Sequence, residues 1–269
     1  MFIGDDFKRA ENDESWYLEP YQRAAAGADP GGLNAAKSFI EHIRAGVEAA
    51  ARDTSSMLLF SGGQTRVHGS PLGEGQSYWK VAEAMKWFGH DSSSSGSNED
   101  ESGVRWRSLT EDFARDSYEN LLFSICRFRE VTRRYPERIS VVGYELKRRR
   151  YEELHVKAIR WSGPFTYVGT ELPAGGDDGR RQAEEGEENT FQAYRRDPYG
   201  CRAPLITKRM SRDPFRRGLP YSHGCPSLQE LFAFCSPEVV IQDRNKPSES
   251  LGSIDPSILY NGSLPWPHD

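Results

Sequence analysis

Little in this chain assigns it at a glance, and each absence removes a class of protein. Cysteine is scarce: Cys126, Cys201, Cys225 and Cys235 are the four in 269 residues, and none sits at a zinc-ligand spacing. They are expected to be reduced, structural thiols; a disulfide among the last three would need an oxidising compartment. His42, His68, His155 and His223 do not pair at metal-ligand spacings either, so no metal is expected. No apolar run approaches the roughly 18 residues of a membrane span, so no membrane partner is expected. The N-terminal MFIGDDFKRAENDESW is polar and acidic, unlike a secretory signal or a transit peptide, and the expected location is cytoplasmic. Positive charge is not in excess: 35 basic against 40 acidic residues leave a net charge of -5, which argues against nucleic acid as a partner. The P-loop, the GxGxxG dinucleotide fingerprint and the GxSxG nucleophile elbow are all missing, there is no convincing Ser-His-Asp set, and no internal repeat is visible.

What remains is a soluble composition, 36% hydrophobic and 28% charged, with a mean hydropathy of -0.73 that leaves part of the length unpacked. Residues 34–52 carry Phe39, Ile40, Ile43 and Val47 at helical spacing. MLLF runs into Ser61-Gly62-Gly63, a buried strand ending in a glycine turn. Residues 74–88 read as a second helix. Asp116 and Glu119 form a capping-box pattern ahead of a helix with Leu121, Leu122, Ile125 and Phe128. RISVVGYE (138–145) is a strong strand, a helix follows to about Trp161, and PFTYVGT (164–170) is a further strand. This alternation predicts an α/β fold, a Rossmann-like three-layer sandwich with a mainly parallel sheet. The expected division is a domain over 1–170 with a flexible acidic loop at 89–103. A disordered insertion at 171–190 follows, and then an irregular C-terminal extension, 191–269, packed on the same domain.

In such a sheet, ligands sit beyond the carboxyl ends of the strands. Three passages there carry unusual polar groups. In the first, Gly62 and Gly63 would let backbone amides approach an anion, with Gln64 and Glu74 nearby. In the second, Ser117, Glu119 and Asn120 open a helix, and Asn120 is a poor helix former with no capping role to explain it. In the third, Glu145 precedes Lys147-Arg148-Arg149-Arg150, four cations at a helix start where the dipole favours anions. That unfavourable placement suggests compensation by an anionic ligand or by carboxylates. Lys147 and Arg149 are expected on a solvated face, and His155 in a structural role.

These segments together resemble a known family. LLFSGGQTR (58–66), EGQSYWKVAE (74–83), TEDFARDSYENLLFS (110–124), ISVVGYELKRRRYEELHVKAI (139–159) and DPYGCRAPLITKR with DPFRR (197–217) look like the fungal branch of the domain of unknown function 218 family, similar to the bacterial SanA and ElyC envelope proteins. The resemblance spans about Trp16 to Trp266. It implies a Rossmann-like fold with a pocket at the strand ends, and places the pocket on Gly62, Gly63, Glu74, Ser117, Glu119, Asn120, Glu145 and Arg150. It implies no established reaction. Members of this kind begin with an apolar strand ending in Gly-His, ahead of the segment that reads here NDESWYLEPYQ. That strand, expected near the middle of the sheet, is missing from this sequence, which predicts marginal stability.

The functional expectation is a small anionic ligand, phosphorylated or nucleotide-like, held by the glycine turn and Arg150. Glu74 or Glu119 would act as general base if the protein is an enzyme. A ligand-binding protein without chemistry and a degenerate truncated paralogue are the alternatives. The sequence leaves the cofactor, like the reaction, open.

Overall fold

A computed structural model describes residues 10–16, 18, 35–67, 71–91, 103–172, 176–218, 220–221, 223–240, 252–254 and 257–266. The first expected helix is α1, Ala35–Ala51, which buries Phe39, Ile40, Ile43 and Val47. Its start is capped from a distance: Asp13 Oδ1 accepts the Ala36 amide at 2.9 Å. Its end is closed by Arg107, which donates to the carbonyls of Ala50 and Ser56, each at 2.8 Å. A cation here satisfies carbonyls that a helix end leaves bare. Next come β1, Leu58–Ser61, and α2, Glu74–Ala84. The second helix stops short of the expected residue 88, because Lys86, Trp87 and Phe88 all take positive φ and turn Trp87 into the core. β2, Ser108–Glu111, has no counterpart in the sequence reading, since SLTE holds a single aliphatic residue. α3, Ser117–Thr132, and β3, Ile139–Tyr144, lie where expected. A π-helical turn, Arg150–His155, runs into α4, Val156–Ala158, and β4, Phe165–Thr170, follows. The expected acidic loop falls mostly on 92–102, outside the described residues.

The result is a mixed α/β fold with short parallel pairs. β1 pairs with β2 in register Leu58 to Ser108, and β3 with β4 in register Ile139 to Phe165. Alternation along the strands sends neighbouring residues to two separate cores. Leu58, Phe60 and Tyr144 face a cluster built from α1, α2, Trp16 and Trp87. Ile139, Val141, Phe165 and Tyr167 face another, built from α3, Tyr151, Ile159 and the C-terminal part. Helices therefore cover both faces, the Rossmann-like arrangement. Among the described residues the two pairs do not join into one sheet. Between β1 and β3 lies a cavity of about 1520 Å³, walled by both strands, by α1 and by α3. No described helix is long and apolar enough to cross a membrane.

Two expectations are corrected. The segment expected as a disordered insertion, 171–190, is largely helix: α5 spans Gly176–Arg196. Its mean composition is too polar to suggest packing, but pairs four apart support it. Arg180 meets Glu184 at 3.0 Å, and Phe191 and Tyr194 bury its far end. The cysteines, expected as reduced thiols, are paired as Cys126–Cys225 and Cys201–Cys235. Cys126 and Cys225, 99 residues apart, meet because the C-terminal part folds back on α3, and Cys201–Cys235, 34 residues apart, closes a loop within that part. That part comprises α6, Leu205–Ser211, α7, Gln229–Ala233, and an antiparallel pair of β5, Glu238–Val240, with β6, Gly252–Ile254. Tyr199, Leu205, Tyr221, Leu228, Leu231, Tyr260 and Trp266 join the α3 core.

Two stability experiments follow from this division. Strand pairs that do not join among the described residues predict a broad thermal transition below the ~45–65 °C usual for mesophilic domains. A sharp transition well above that range would count against it. Reduction of the disulfides, or Cys201→Ser with Cys235→Ser, should lower stability by about 2–4 kcal/mol by releasing closed loops in the unfolded chain. Urea midpoints unchanged by reductant would mean that the bridges contribute nothing.

Candidate functional site

The cavity is apolar along the middle of the strands and polar at both ends, with Asp53, Ser55, Glu137 and Arg138 at the amino ends and a second polar group at the carboxyl ends. The carboxyl end is organised by Glu111, the last residue of β2 and fully buried. Its carboxylate accepts from Ser61 Oγ at 2.8 Å, Tyr221 Oη at 3.0 Å and the Phe113 amide at 2.9 Å. Burial pushes its pKa up against these donors. The Ser61 hydroxyl also reaches Asn120 Oδ1 at 3.1 Å, which ties the end of β1 to the start of α3.

The glycine turn serves a different purpose from the one expected. The Gly62 amide donates to Glu111 O at 2.9 Å and the Gly63 amide to Ala114 O at 2.8 Å, so both donors are taken. What requires glycine is space. Gly62 has φ +153°, and a Cβ there would lie 2.8 Å from Glu74 Cβ; one on Gly63 would lie 2.8 Å from Ala114 O. Gly62 still borders the cavity, while Gly63 and Gln64 border a small pocket of about 60 Å³ beside it.

At the start of α3, Asp116 caps the helix by accepting the Glu119 amide at 2.9 Å. Glu119 reaches back to the Arg115 amide at 2.9 Å, one residue earlier than a capping box would. Its carboxylate is buried and held by Arg115 at 2.6 Å and Arg209 at 3.3 Å. Asp116 meets Arg209 at 2.7 Å. Burial works against the Asp116 charge, but Arg209 and the Glu119 amide outweigh it and hold the carboxyl below its usual range. Glu119 is therefore an ion-pair residue outside the cavity, not an available base. Ser117 does face the cavity and meets His155 Nε2 at 2.8 Å. His155 is fully buried against Tyr194, and burial with the nearby Arg150 keeps it neutral, in the structural role expected.

The third passage divides its cations. Glu145 is exposed and paired with Arg148 at 2.6 Å, away from the cavity. Arg149 is exposed over the Phe191 ring at 4.3 Å, as a solvated residue should be. Lys147, expected beside it in solvent, faces the cavity instead. Three residues on, Arg150 is buried and meets Glu187 of α5 at 3.1 Å. The wider π-helical turn begins at Arg150 and lets both Arg150 and Tyr151 line the cavity. Burial and the Arg150 charge push the Lys147 pKa down to about 8.

Gly62, Glu74, Ser117, Asn120 and Arg150 thus converge on one cavity, whereas Gly63, Gln64, Glu119 and Glu145 do not. Sequence reasoning missed Lys147, Glu187, Lys208 and Arg212 as cavity residues, and also His42 and Tyr78. Spacing held part of the signal: Lys147 and Arg150 are three apart, Lys208 and Arg212 four apart, so each pair shares a helix face. Tyr78 Oη donates to Glu74 Oε1 at 2.9 Å, and His42 meets Thr170 Oγ1 at 3.2 Å. Among the described residues, no cluster of three or more His, Cys, Asp or Glu could hold a metal ion.

Comparison with known proteins gives a relative but no activity. "Uncharacterized protein YOR238W" of Saccharomyces cerevisiae is 28% identical over 244 residues, covering 78% of this chain and 77% of the yeast protein. No family profile matches the chain, and no solved structure matches it.

The Lys147 environment makes a signed prediction. Its folded pKa of about 8 lies below the ordinary lysine value of 10.5, so between these the unfolded chain holds the proton and the folded chain does not. Lys147 therefore makes stability rise with pH across that window and imposes its full cost below about pH 8. Lys147→Met should flatten the rise and leave the ligand-free protein no less stable at pH 7, as read by urea midpoints against pH. An undiminished slope in the variant would assign the titration to another group.

Proposed function

We propose that the cavity binds a small phosphorylated or nucleotide-like anion at the carboxyl ends of β1 and β3. The observation that carries this is the convergence of Lys147, Arg150, Lys208 and Arg212 on one end of the cavity. Among the described residues, neither Lys147 nor Lys208 has a carboxylate within 4 Å to balance it. The Lys208 pKa is also lowered, by burial first and then by Arg212 and Arg150. Cations held this close repel one another, and an anion between them reverses the sign of that interaction. The Arg150 Nε, buried with no hydrogen-bond partner, is a further donor for it.

The reading fits a member of the domain of unknown function 218 family. With the glycine amides and Glu119 already engaged, the anion would be held by side chains rather than by the turn. Glu74 is then the carboxylate of the original pair that still faces the ligand, and the candidate general base if the site carries out chemistry.

A thermal-shift screen against inorganic phosphate, nucleotides, nucleotide sugars and S-adenosylmethionine tests the proposal. A true ligand should stabilise by about 2.7 kcal/mol at a hundredfold excess over its Kd. Arg150→Ala and Lys147→Met should each abolish the shift. No shift from any anion in the panel, or one that survives both substitutions, would rule out this site. Glu74→Gln then separates the two forms of the reading: loss of turnover with binding retained marks an enzyme.

A further inference from the structure

The cations at the carboxyl end of the cavity are not equivalent. Arg150 and Arg212 carry guanidinium groups, which stay charged at any pH a protein tolerates. They serve an anion as fixed charges, and the buried Arg150 Nε is still without a partner. Lys147 and Lys208 can lose a proton, and their surroundings push both toward doing so. Lys208 is exposed, whereas Lys147 is half-buried, with its Nζ 5.3 Å from the centre of the Tyr144 ring.

Burial, and after it Arg150, brings the Lys147 pKa to about 8; Arg212 adds to this, while Glu74 and Glu187 oppose it. At pH 7 a lysine titrating near 8 is uncharged in roughly one molecule in ten, ~300-fold more often than one at the ordinary 10.5. Desolvation beside another cation is how a lysine becomes a nucleophile. Glu74, from α2, is near enough for its charge to act on Lys147, and Tyr78 Oη holds its Oε1 at 2.9 Å. A carboxylate so placed can carry protons to and from the nitrogen.

We propose that Lys147 is a nucleophile and forms an imine with a small aldehyde or ketone that carries a phosphate group. This rests on the anion-binding reading of the cavity and names its substrate class. A phosphate offers three acceptor oxygens to Arg150, Arg212 and Lys208, and its position among them brings the carbonyl carbon to Lys147 Nζ. The nitrogen lone pair adds to that carbon, and the C=O π pair moves to the oxygen. Both protons of the amine then leave with that oxygen as water, carried by Glu74, and a C=N bond remains. The step needs no oxidant or reductant, and water reverses it.

Pyridoxal phosphate, an aldehyde that carries a phosphate, probes this on the full chain. Borohydride fixes any imine, and peptide mass spectrometry locates it. Lys147 should carry the label, and at concentrations well below saturation pyridoxal, which lacks the phosphate, should label it ~10-fold less. Arg150→Ala should cut the labelling by the same factor. Lys147→Arg, which keeps the charge, should remove the label yet keep the thermal shift given by inorganic phosphate. Glu74→Gln should slow labelling ~100-fold without lowering its final extent. A phosphate shift that is lost in Arg150→Ala, with no label on Lys147, would overturn the imine and leave the anion site standing. Neither shift nor label would remove both. Label spread over other lysines, or equal labelling by pyridoxal, would reduce Lys147 to an accessible amine and overturn the proposal. An unchanged rate in Glu74→Gln would remove Glu74 from the proton route.

Discussion

Four charges at the start of α3 hold the polar end of the molecule together. Asp116 and Glu119 share Arg209 from α6, and Glu119 also takes Arg115. All four side chains are largely removed from solvent, so losing one would leave the others uncompensated, which costs far more than an exposed pair. The network fixes two segments nearly a hundred residues apart. It caps α3, which sets Ser117 and Asn120 on the cavity wall, and it anchors α6, which carries Lys208 and Arg212 to the same wall. The Cys126–Cys225 bridge and the aromatic residues of the C-terminal part hold the same two segments from the other side. The cationic end of the cavity is thus the tied half of the protein.

The other half depends on backbone pairing that the described residues do not complete. Parallel sheets are stable when both faces are covered and all edges but the outermost are paired. Here the faces are covered and the inner edges of β1 and β3 are not joined. α1 and α3 bridge the gap through side chains alone. One cavity is therefore apolar between the two helices, of mixed charge at the amino ends of the strands and cationic at their carboxyl ends. The apolar part and the cationic part meet at the carboxyl ends of the strands, where ligands of open α/β sheets sit.

The regular elements were the most legible. α1, α3, β3 and β4 follow from periodicity because their apolar residues repeat at the spacing of their own structure and face cores that extend along them. β2 was illegible for the opposite reason: three of its four residues are polar, and Glu111 is buried only because Tyr221, Ser61 and two amides come to it. α5 was hidden by an average. Its glycines and acidic residues look unpackable until Glu187 and Tyr194 are seen to line a cavity made by other segments. Of the candidate site, Gly62, Glu74, Ser117, Asn120 and Arg150 could be found from loop position. Lys147 could not be told from Arg148 and Arg149, because adjacent cations at a helix start differ only in which way the turn points them.

Local pattern, then, was enough to determine that this chain alternates strands and helices, where most of them lie, and that its strand ends gather polar groups. Those properties depend on residues within a turn or two of one another. Which cysteines meet, which carboxylates are engaged, which cations face inward and which strands pair among the described residues were decided only by tertiary structure. Each depends on groups far apart in sequence, whose approach is set by the packing of whole elements and leaves no short-range signature.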